Sequence, residues 1–225
     1  LMPWIDPVAP APDGTIEGRS ADAFRIIPGD YVTTEDGTGI VHIAPTFGAD
    51  DAKVAREAGI PSLFVIDRNG DTRPMVDFTG RYFVREDMDP GFAQRFVHEE
   101  YWAHSGQYVK NAYAPRYNIQ GVYDAKAAQK DPDLNVALCM EMKAKGTAFR
   151  IEKHVHNYPH CWRTDKPVLY YPLDSWFIRS TAAKERMAEL NRTIQWKPES
   201  TGTGRFGKWL ENLNDWNLSR SRYWG

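Results

Sequence analysis

A Thr- and Gly-rich hairpin pattern most constrains how this chain can fold. Residues 30–51 read DYVTTEDGTGIVHIAPTFGADD. Two runs of strand-like composition, 30–34 and 38–44, flank the dipeptide Asp36-Gly37. Asp-Gly between two such runs favours a tight turn between antiparallel strands. The pattern therefore predicts a β-hairpin in the first quarter of the chain.

A helix start follows this hairpin directly. Pro45 and Gly48 lead into DDAKVAREAG, and an acidic start with a final glycine is typical of a helix over 50–59. His42 then lies at the end of a strand, and Asp51 lies in the first turn of the helix. The intervening Pro and Gly allow the chain to fold back, so both side chains are expected at the rim of one pocket.

The remaining periodic segments indicate an α+β fold. Further strands are predicted over 23–27 and 62–66, with a second hairpin turn at DRNGD, residues 67–71. Further helices are predicted over 89–102, 131–146, 181–191 and 206–213. Strands and helices do not alternate regularly, which favours a mixed or barrel-like sheet with helices packed around it.

The texture of the chain changes along its length. Residues 104–130 have no clear period and are predicted to form an irregular insertion. After about Tyr158 the sequence is rich in Trp and is predicted to form helices joined by connecting segments. We therefore predict a boundary between domains 1–157 and 158–225. The chain starts without Met and stops directly after LSRSRYWG, and we expect an excised fragment.

Composition excludes several classes of protein. A net charge of -2 gives no overall signal for nucleic acid, and no apolar run approaches the roughly 18 residues that span a bilayer. The two cysteines, Cys139 and Cys161, do not form a disulfide framework. A reducing compartment, the cytoplasm, is therefore expected.

Two groups of residues could carry chemistry. A carboxylate at a helix N-terminus, such as Asp51, is stabilised in its charged form and is suited to hold a cation. Taken alone, Asp50 and Asp51 are most simply explained as capping residues of the helix, and His42 as a hydrogen-bonded histidine at a strand end.

A histidine and cysteine cluster invites a zinc interpretation. His154 and His156 would share one face of a strand, but the adjacent His160 and Cys161 would point apart. A CxxC pair would need a cysteine where the chain has Thr164. A structural role for the segment YPHCWR competes with zinc binding.

Four motifs resemble one enzyme family. GTGIVHIAPTFGADD (37–51) resembles the signature of the editing domain in class I synthetases for isoleucine, valine and leucine, and His after GTGIV is similar to the isoleucine branch. YPHCWR (158–163), DSWFIR (174–179) and NLSRSRYWG (217–225) resemble the same branch, in the family's order. Together they span most of the chain.

The resemblance implies a place within a larger enzyme. The chain would be much of the insertion in the catalytic domain, and it lacks both ATP motifs, of the HIGH and KMSKS types, so alone it would not form an aminoacyl-adenylate. No cofactor is expected in this chain, while the parent would use ATP and Mg. The Thr-rich strand that builds one wall of the editing pocket is absent and is expected upstream of Leu1.

The resemblance also implies roles for single residues. The substrate would be the acceptor end of tRNA(Ile) carrying valine, whose ester bond is hydrolysed by water. Asp51 would pair with the α-ammonium, and His42 would line the pocket and help to exclude isoleucine. The substrate-binding residues would be Gly37, Thr38, Gly39, Phe47 and Asp50. The other partner would be the remainder of the synthetase chain, and neither a metal nor a membrane is expected.

Two further functions stay open at this point. The chain could bind or connect the tRNA acceptor end without chemistry of its own, and the absent Thr-rich strand favours this for the chain alone. Alternatively, it could be a zinc-stabilised module built on His154, His156 and Cys161.

Overall fold

Short helices and short strands alternate along the chain. The computed structural model describes residues 4–10, 16–18, 23–35, 38–153 and 155–220. Both secondary-structure types occur throughout these residues. The predicted α+β class is therefore confirmed.

The strands form only two-stranded antiparallel ribbons in the described part of the chain. The pairs are β1 (Val8–Pro10) with β2 (Ile16–Gly18), β3 (Val65–Ile66) with β4 (Thr72–Arg73), β5 (Asn118–Ile119) with β6 (Val122–Tyr123), and β7 (Phe177–Ile178) with β8 (Trp216–Asn217). A mixed or barrel-like sheet does not occur among these residues, so that part of the predicted architecture is not confirmed.

The helices agree better with the sequence. They are α1 (Ala49–Glu57), α2 (Pro90–Phe96), α3 (Glu99–Trp102), α4 (Ala125–Lys130), α5 (Leu134–Ala144), α6 (Lys184–Asn191) and α7 (Phe206–Glu211). Shorter 3₁₀ turns occupy Arg85–Asp87, Asn111–Tyr113, Pro115–Tyr117 and Ser180–Ala183, and a π turn occupies Thr201–Arg205. The predicted helices over 50–59, 131–146, 181–191 and 206–213 are confirmed apart from their end residues. No helix of the described residues is long and apolar enough to cross a membrane.

Most of the predicted strands are wrong. No ladder forms over the described residues of 23–27, 30–34 or 38–44, and only the last two residues of 62–66 pair. Strand preference reflects packing on a half-buried pleated surface rather than the backbone alone. Ile26 is 86% exposed and Ile40 is 76% exposed, so neither has such a surface here. The predicted Asp36-Gly37 turn lies outside the described residues.

The predicted helix over 89–102 is divided into α2 and α3. Asp89 caps α2 as its sequence indicates, because its carboxylate accepts a hydrogen bond from the Phe92 amide at 2.7 Å. Val97 then becomes extended (φ -105°, ψ 120°) and forms an isolated antiparallel bridge with Ile5. The partner that interrupts the helix is remote in the sequence, so the local pattern cannot reveal it.

The second predicted hairpin turn is confirmed between β3 and β4. Asp67 is buried and organises this turn. Its Oδ1 accepts from the amides of Asn69 at 2.9 Å and Asp71 at 3.0 Å, and its Oδ2 accepts from Arg73 Nε at 2.9 Å. One carboxylate therefore closes the loop and neutralises its cation.

Residues 104–130 are more ordered than predicted. They contain two 3₁₀ turns, the β5–β6 hairpin and α4. Gln120 and Gly121 both have positive φ, 51° and 80°, as a two-residue type I′ turn requires. A small apolar cluster forms there from Ala114, Tyr117 and Ala128. The prediction of irregular structure is wrong, because these elements are too short to produce a clear period; that the segment is an insertion stays a prediction.

The chain divides into two compact units, residues 1–172 and 173–225. The core of the first unit is built mainly from β3, α2 and α3, and its fully buried members include Ile5, Val65, Met88, Phe92 and Tyr101. The predicted domains 1–157 and 158–225 stay a prediction.

The second unit contains α6 and α7 with the β7–β8 ribbon. Asn191 at the end of α6 is buried there. Its Nδ2 donates to the Gly202 carbonyl at 2.9 Å, and its Oδ1 accepts from Trp196 Nε1 at 3.0 Å. A single buried amide thus joins α6 to the segment that precedes α7.

Candidate functional site

Helix α1 carries the candidate carboxylates in its first turn. Gly48 is the N-cap and provides no side-chain cap, while Asp50 and Asp51 lie in the first turn. The free amides and dipole of a helix N-terminus stabilise negative charge. Gly59 follows the helix with φ +67°, the left-handed conformation that commonly ends a helix. Local signals therefore place Asp51 where the sequence predicts it.

Asp51 closes the loop that enters α1. Its Oδ2 accepts a hydrogen bond from the Ala44 amide at 2.8 Å. The Ala44 carbonyl in turn accepts from the amides of Phe47 at 2.9 Å and Gly48 at 3.1 Å. Ala44 is thus held at both its amide and its carbonyl, and we name residues 44–51 the Asp51 turn. None of the hydrogen bonds between described residues involves Asp51 Oδ1.

Two side chains anchor the Asp51 turn within the first unit. The Thr46 hydroxyl donates to the Leu63 carbonyl at 2.8 Å. The Phe47 ring lies edge-on to Tyr171, with ring centroids 6.4 Å apart. Tyr171 is fixed by a hydrogen bond from its hydroxyl to the Val76 carbonyl at 3.0 Å. The ring of Phe47, a predicted substrate-binding residue four positions before Asp51, is therefore held in place by its contact with Tyr171.

The glycine-rich part of the site is only partly described. Gly37 lies outside the described residues. Thr38 is exposed, and its Oγ1 accepts from the Ile40 amide at 3.3 Å. Gly39 has φ +74°, and a β-carbon there would lie 3.0 Å from Thr34 Cγ2. A glycine at position 39 therefore satisfies both an unusual backbone conformation and a close approach.

His42 and Asp50 face solvent. Both residues are exposed, and His42 lies in a segment that is not a strand. No hydrogen bond or ion pair of the described residues joins His42 to Asp51. The structure therefore brings Asp51, Phe47 and the glycine N-cap into one turn, but it does not join His42 to them.

The histidine and cysteine cluster is an alternative site. His154 lies outside the described residues, and no group of three or more His, Cys, Asp or Glu elsewhere in the described chain is arranged to hold a metal. His160 Nδ1 lies 3.3 Å from Asp165 Oδ1. Hydrogen bonds from the Thr164 hydroxyl and from the amides of Arg163 and Thr164 lower the pKa of Cys161 to about 7. These contacts describe a tight loop with an acidified thiol rather than a metal centre.

The sequence did not single out two contributors to the Asp51 turn. The Ala44 amide and the Thr46 hydroxyl hold Asp51 or its loop in place. Gly48, three residues before Asp51, was expected to let the chain fold back, but not to leave space for the Asp51 carboxylate. Every residue except proline has a backbone amide, so the sequence could not indicate that the amide of Ala44 binds Asp51.

Comparison with known proteins identifies the family. The family model described as "tRNA synthetases class I (I, L, M and V)" matches residues 31–225. The isoleucine--tRNA ligase of Bacteroides thetaiotaomicron is 69% identical over 226 residues, which cover 100% of this chain and 19% of the relative. Those of Bacteroides fragilis and Porphyromonas gingivalis are 62% and 58% identical, with 100% of this chain and 18% of each relative covered. The chain thus spans less than a fifth of the length of these relatives. With most of its length matched by the family model, the chain belongs to the class I tRNA synthetases for isoleucine, leucine, methionine and valine.

Proposed function

We propose that this chain is part of an isoleucine--tRNA ligase and contributes the site that hydrolyses valine wrongly attached to tRNA(Ile). One observation carries the proposal. The motif GTGIVHIAPTFGADD ends in a carboxylate, Asp51, that is fixed through Oδ2 and whose Oδ1 makes no hydrogen bond to a described residue. The 69% identity to an isoleucine--tRNA ligase supports the choice of amino acid.

Such a synthetase needs a second site for a physical reason. A pocket that accepts isoleucine also accepts valine, since one methylene changes binding by only about 1 to 3 kcal/mol, for which this pair is the standard example. A hydrolytic site that is too small for isoleucine reverses the size test. Valine enters and is removed, while isoleucine is kept out.

The Asp51 turn suits the chemistry of an aminoacyl ester. Such an ester is already activated, so the site has to fix the substrate and place a water against its carbonyl carbon. The substrate also carries an α-ammonium, and Asp51 Oδ1 would accept a charge-assisted hydrogen bond from it. Phe47 would supply an apolar wall, and His42 would limit the size of the side chain. Gly37, Thr38 and Gly39 would admit the terminal adenosine.

A second candidate is a module that binds or connects the tRNA acceptor end without chemistry of its own. The exposure of His42 and the unformed strand over 38–44 favour it for this chain alone. Under either proposal the partners are tRNA and the remainder of the synthetase chain. ATP and Mg would serve the whole cytoplasmic enzyme, and no residue of this chain is assigned to them.

The test is Asp51→Ala in the whole synthetase. Hydrolysis of valyl-tRNA(Ile) is expected to be lost because the α-ammonium no longer has its partner, while isoleucine activation is retained. Glu57→Ala, at the exposed end of the same helix, is the matched control. Rapid hydrolysis by Asp51→Ala would contradict the proposal. If the unaltered enzyme binds valyl-tRNA(Ile) but does not hydrolyse it, the result would favour the binding module.

A further inference from the structure

Gly48 has a backbone that does not require glycine. Its φ of -111° and ψ of 130° are those of an ordinary extended residue. Any amino acid except proline could adopt this conformation, and Ser, Asp or Asn would be better N-caps. A glycine at this position therefore calls for a different explanation.

The Asp51 carboxylate occupies the space that a side chain at position 48 would need. A β-carbon on Gly48 would lie 2.8 Å from Asp51 Oδ2 and 2.9 Å from Asp51 Cγ. Real β-carbons essentially never approach other atoms so closely. The same Oδ2 is the atom that accepts from the Ala44 amide at 2.8 Å. A methyl group at position 48 would therefore displace Asp51 from its hydrogen bond.

We propose that Gly48 is a positioning residue for the editing reaction, acting through Asp51. Its missing side chain lets Asp51 fold back over the helix N-terminus and bind Ala44. That bond fixes Oδ2 and leaves Oδ1 as the oxygen that receives the substrate ammonium. This inference rests on the function proposed above, and it adds a residue whose only contribution is the space it leaves.

The experiment compares Gly48→Ala with Gly59→Ala in the whole synthetase. Gly59 lies at the other end of α1 with φ +67°, and a β-carbon there would meet nothing within 4 Å. Gly59→Ala therefore strains the same helix without touching Asp51. Gly48→Ala is expected to slow valyl-tRNA hydrolysis about tenfold to a hundredfold, as the loss of a charge-assisted hydrogen bond predicts. Gly59→Ala is expected to leave that rate unchanged.

A second substrate separates positioning from general damage. The matching ester with a hydroxyl in place of the α-ammonium cannot pair with Asp51 as the natural ester does. Gly48→Ala is expected to hydrolyse this ester as fast as the unaltered enzyme. The ratio of the two rates does not depend on the folded fraction of the preparation, so it remains informative if the variant is less stable.

A double variant completes the test. If Gly48 acts only through Asp51, then adding Gly48→Ala to Asp51→Ala should not lower the residual rate of valyl-tRNA hydrolysis that Asp51→Ala retains. Equal slowing on both esters, a further loss in the double variant, or no loss in Gly48→Ala would overturn the assignment of Gly48. Rapid valyl-tRNA hydrolysis by Asp51→Ala would instead overturn the proposed function, so the two failures are distinguishable.

Discussion

Replacing Asp67 should destabilise the chain more than replacing the neighbouring Asp71. Asp67 accepts two backbone amides through Oδ1 and Arg73 through Oδ2. Asp67→Ala leaves those two amides without their acceptor, and we expect a loss of about 2 to 4 kcal/mol in the free energy of unfolding. Asp67→Asn keeps an oxygen for the amides but presents donors to Arg73, at a cost of about 1 to 2 kcal/mol.

Asp71→Asn is the matched control. Asp71 also contacts Arg73, at 2.8 Å, but its side chain is 58% exposed. Exposed ion pairs contribute little, so this change should stay within about 0.5 kcal/mol. Urea unfolding followed by tryptophan fluorescence measures all three variants. Equal losses in Asp67→Ala and Asp71→Asn would refute the reasoning.

The pH dependence gives an independent check on Asp67. Burial alone would raise its pKa, but hydrogen bonds from Arg73 and from the amides of Asp71 and Asn69 outweigh it and hold the pKa below the usual 3.8. A folded-state pKa below that of the unfolded chain stabilises the fold above the unfolded value, and the gain is lost as pH falls through the folded value. The difference in stability between the unaltered chain and Asp67→Asn should therefore be constant near neutral pH and shrink below about pH 4. A difference that is as large at pH 3 would refute the assignment.

Two further predictions concern side chains with a defined chemical role. In the whole synthetase, His42→Ala should slow valyl-tRNA hydrolysis or permit hydrolysis of isoleucyl-tRNA. Unchanged rates on both esters would show that His42 has no role in the proposed site. Alkylation of Cys161 by iodoacetamide, followed by mass spectrometry in a Cys139→Ser chain, should be half-maximal near pH 7, because its pKa is about 7. Thr164→Ala should move that midpoint upward, and a midpoint at the usual thiol value of 9.0 in the unaltered loop would contradict the hydrogen bonding described.

Helix ends in this chain could be predicted because their signals are local. Asp89 accepts from the amide three positions on and stands where the sequence indicates a helix start. The cap of α5 is Asp133, two residues after the predicted start at Asp131. Gly59 and Gly146 have the positive φ expected of a helix end. Each of these signals is complete within a few residues, so no tertiary contact is needed to read it.

Strands and helix breaks could not be predicted in the same way. The bridge between Ile5 and Val97 joins segments far apart in the sequence, and it interrupts a pattern that otherwise reads as one helix. The run 38–44 has the composition of a strand, but a strand also needs a neighbour with which to exchange hydrogen bonds. The composition of a segment indicates a preference for strand structure, but it does not show which other segment would pair with it.

The two halves of the candidate site depend on different parts of the fold. Asp51 is placed by contacts within the Asp51 turn, since its bond to Ala44 spans only seven positions and Gly48 lies between them. His42 is just two residues before Ala44, yet it is exposed and lies on a segment without ladder hydrogen bonds in the described chain. Loop closure over a few residues costs little entropy, whereas pairing of remote strands costs more. The contacts that hold Asp51 should therefore persist wherever α1 forms, while the role proposed for His42 in excluding isoleucine would depend on how residues 38–44 are held in the whole synthetase. Measured in the whole synthetase, a substitution within residues 38–43 should let isoleucyl-tRNA be hydrolysed before it impairs the proposed recognition of the α-ammonium.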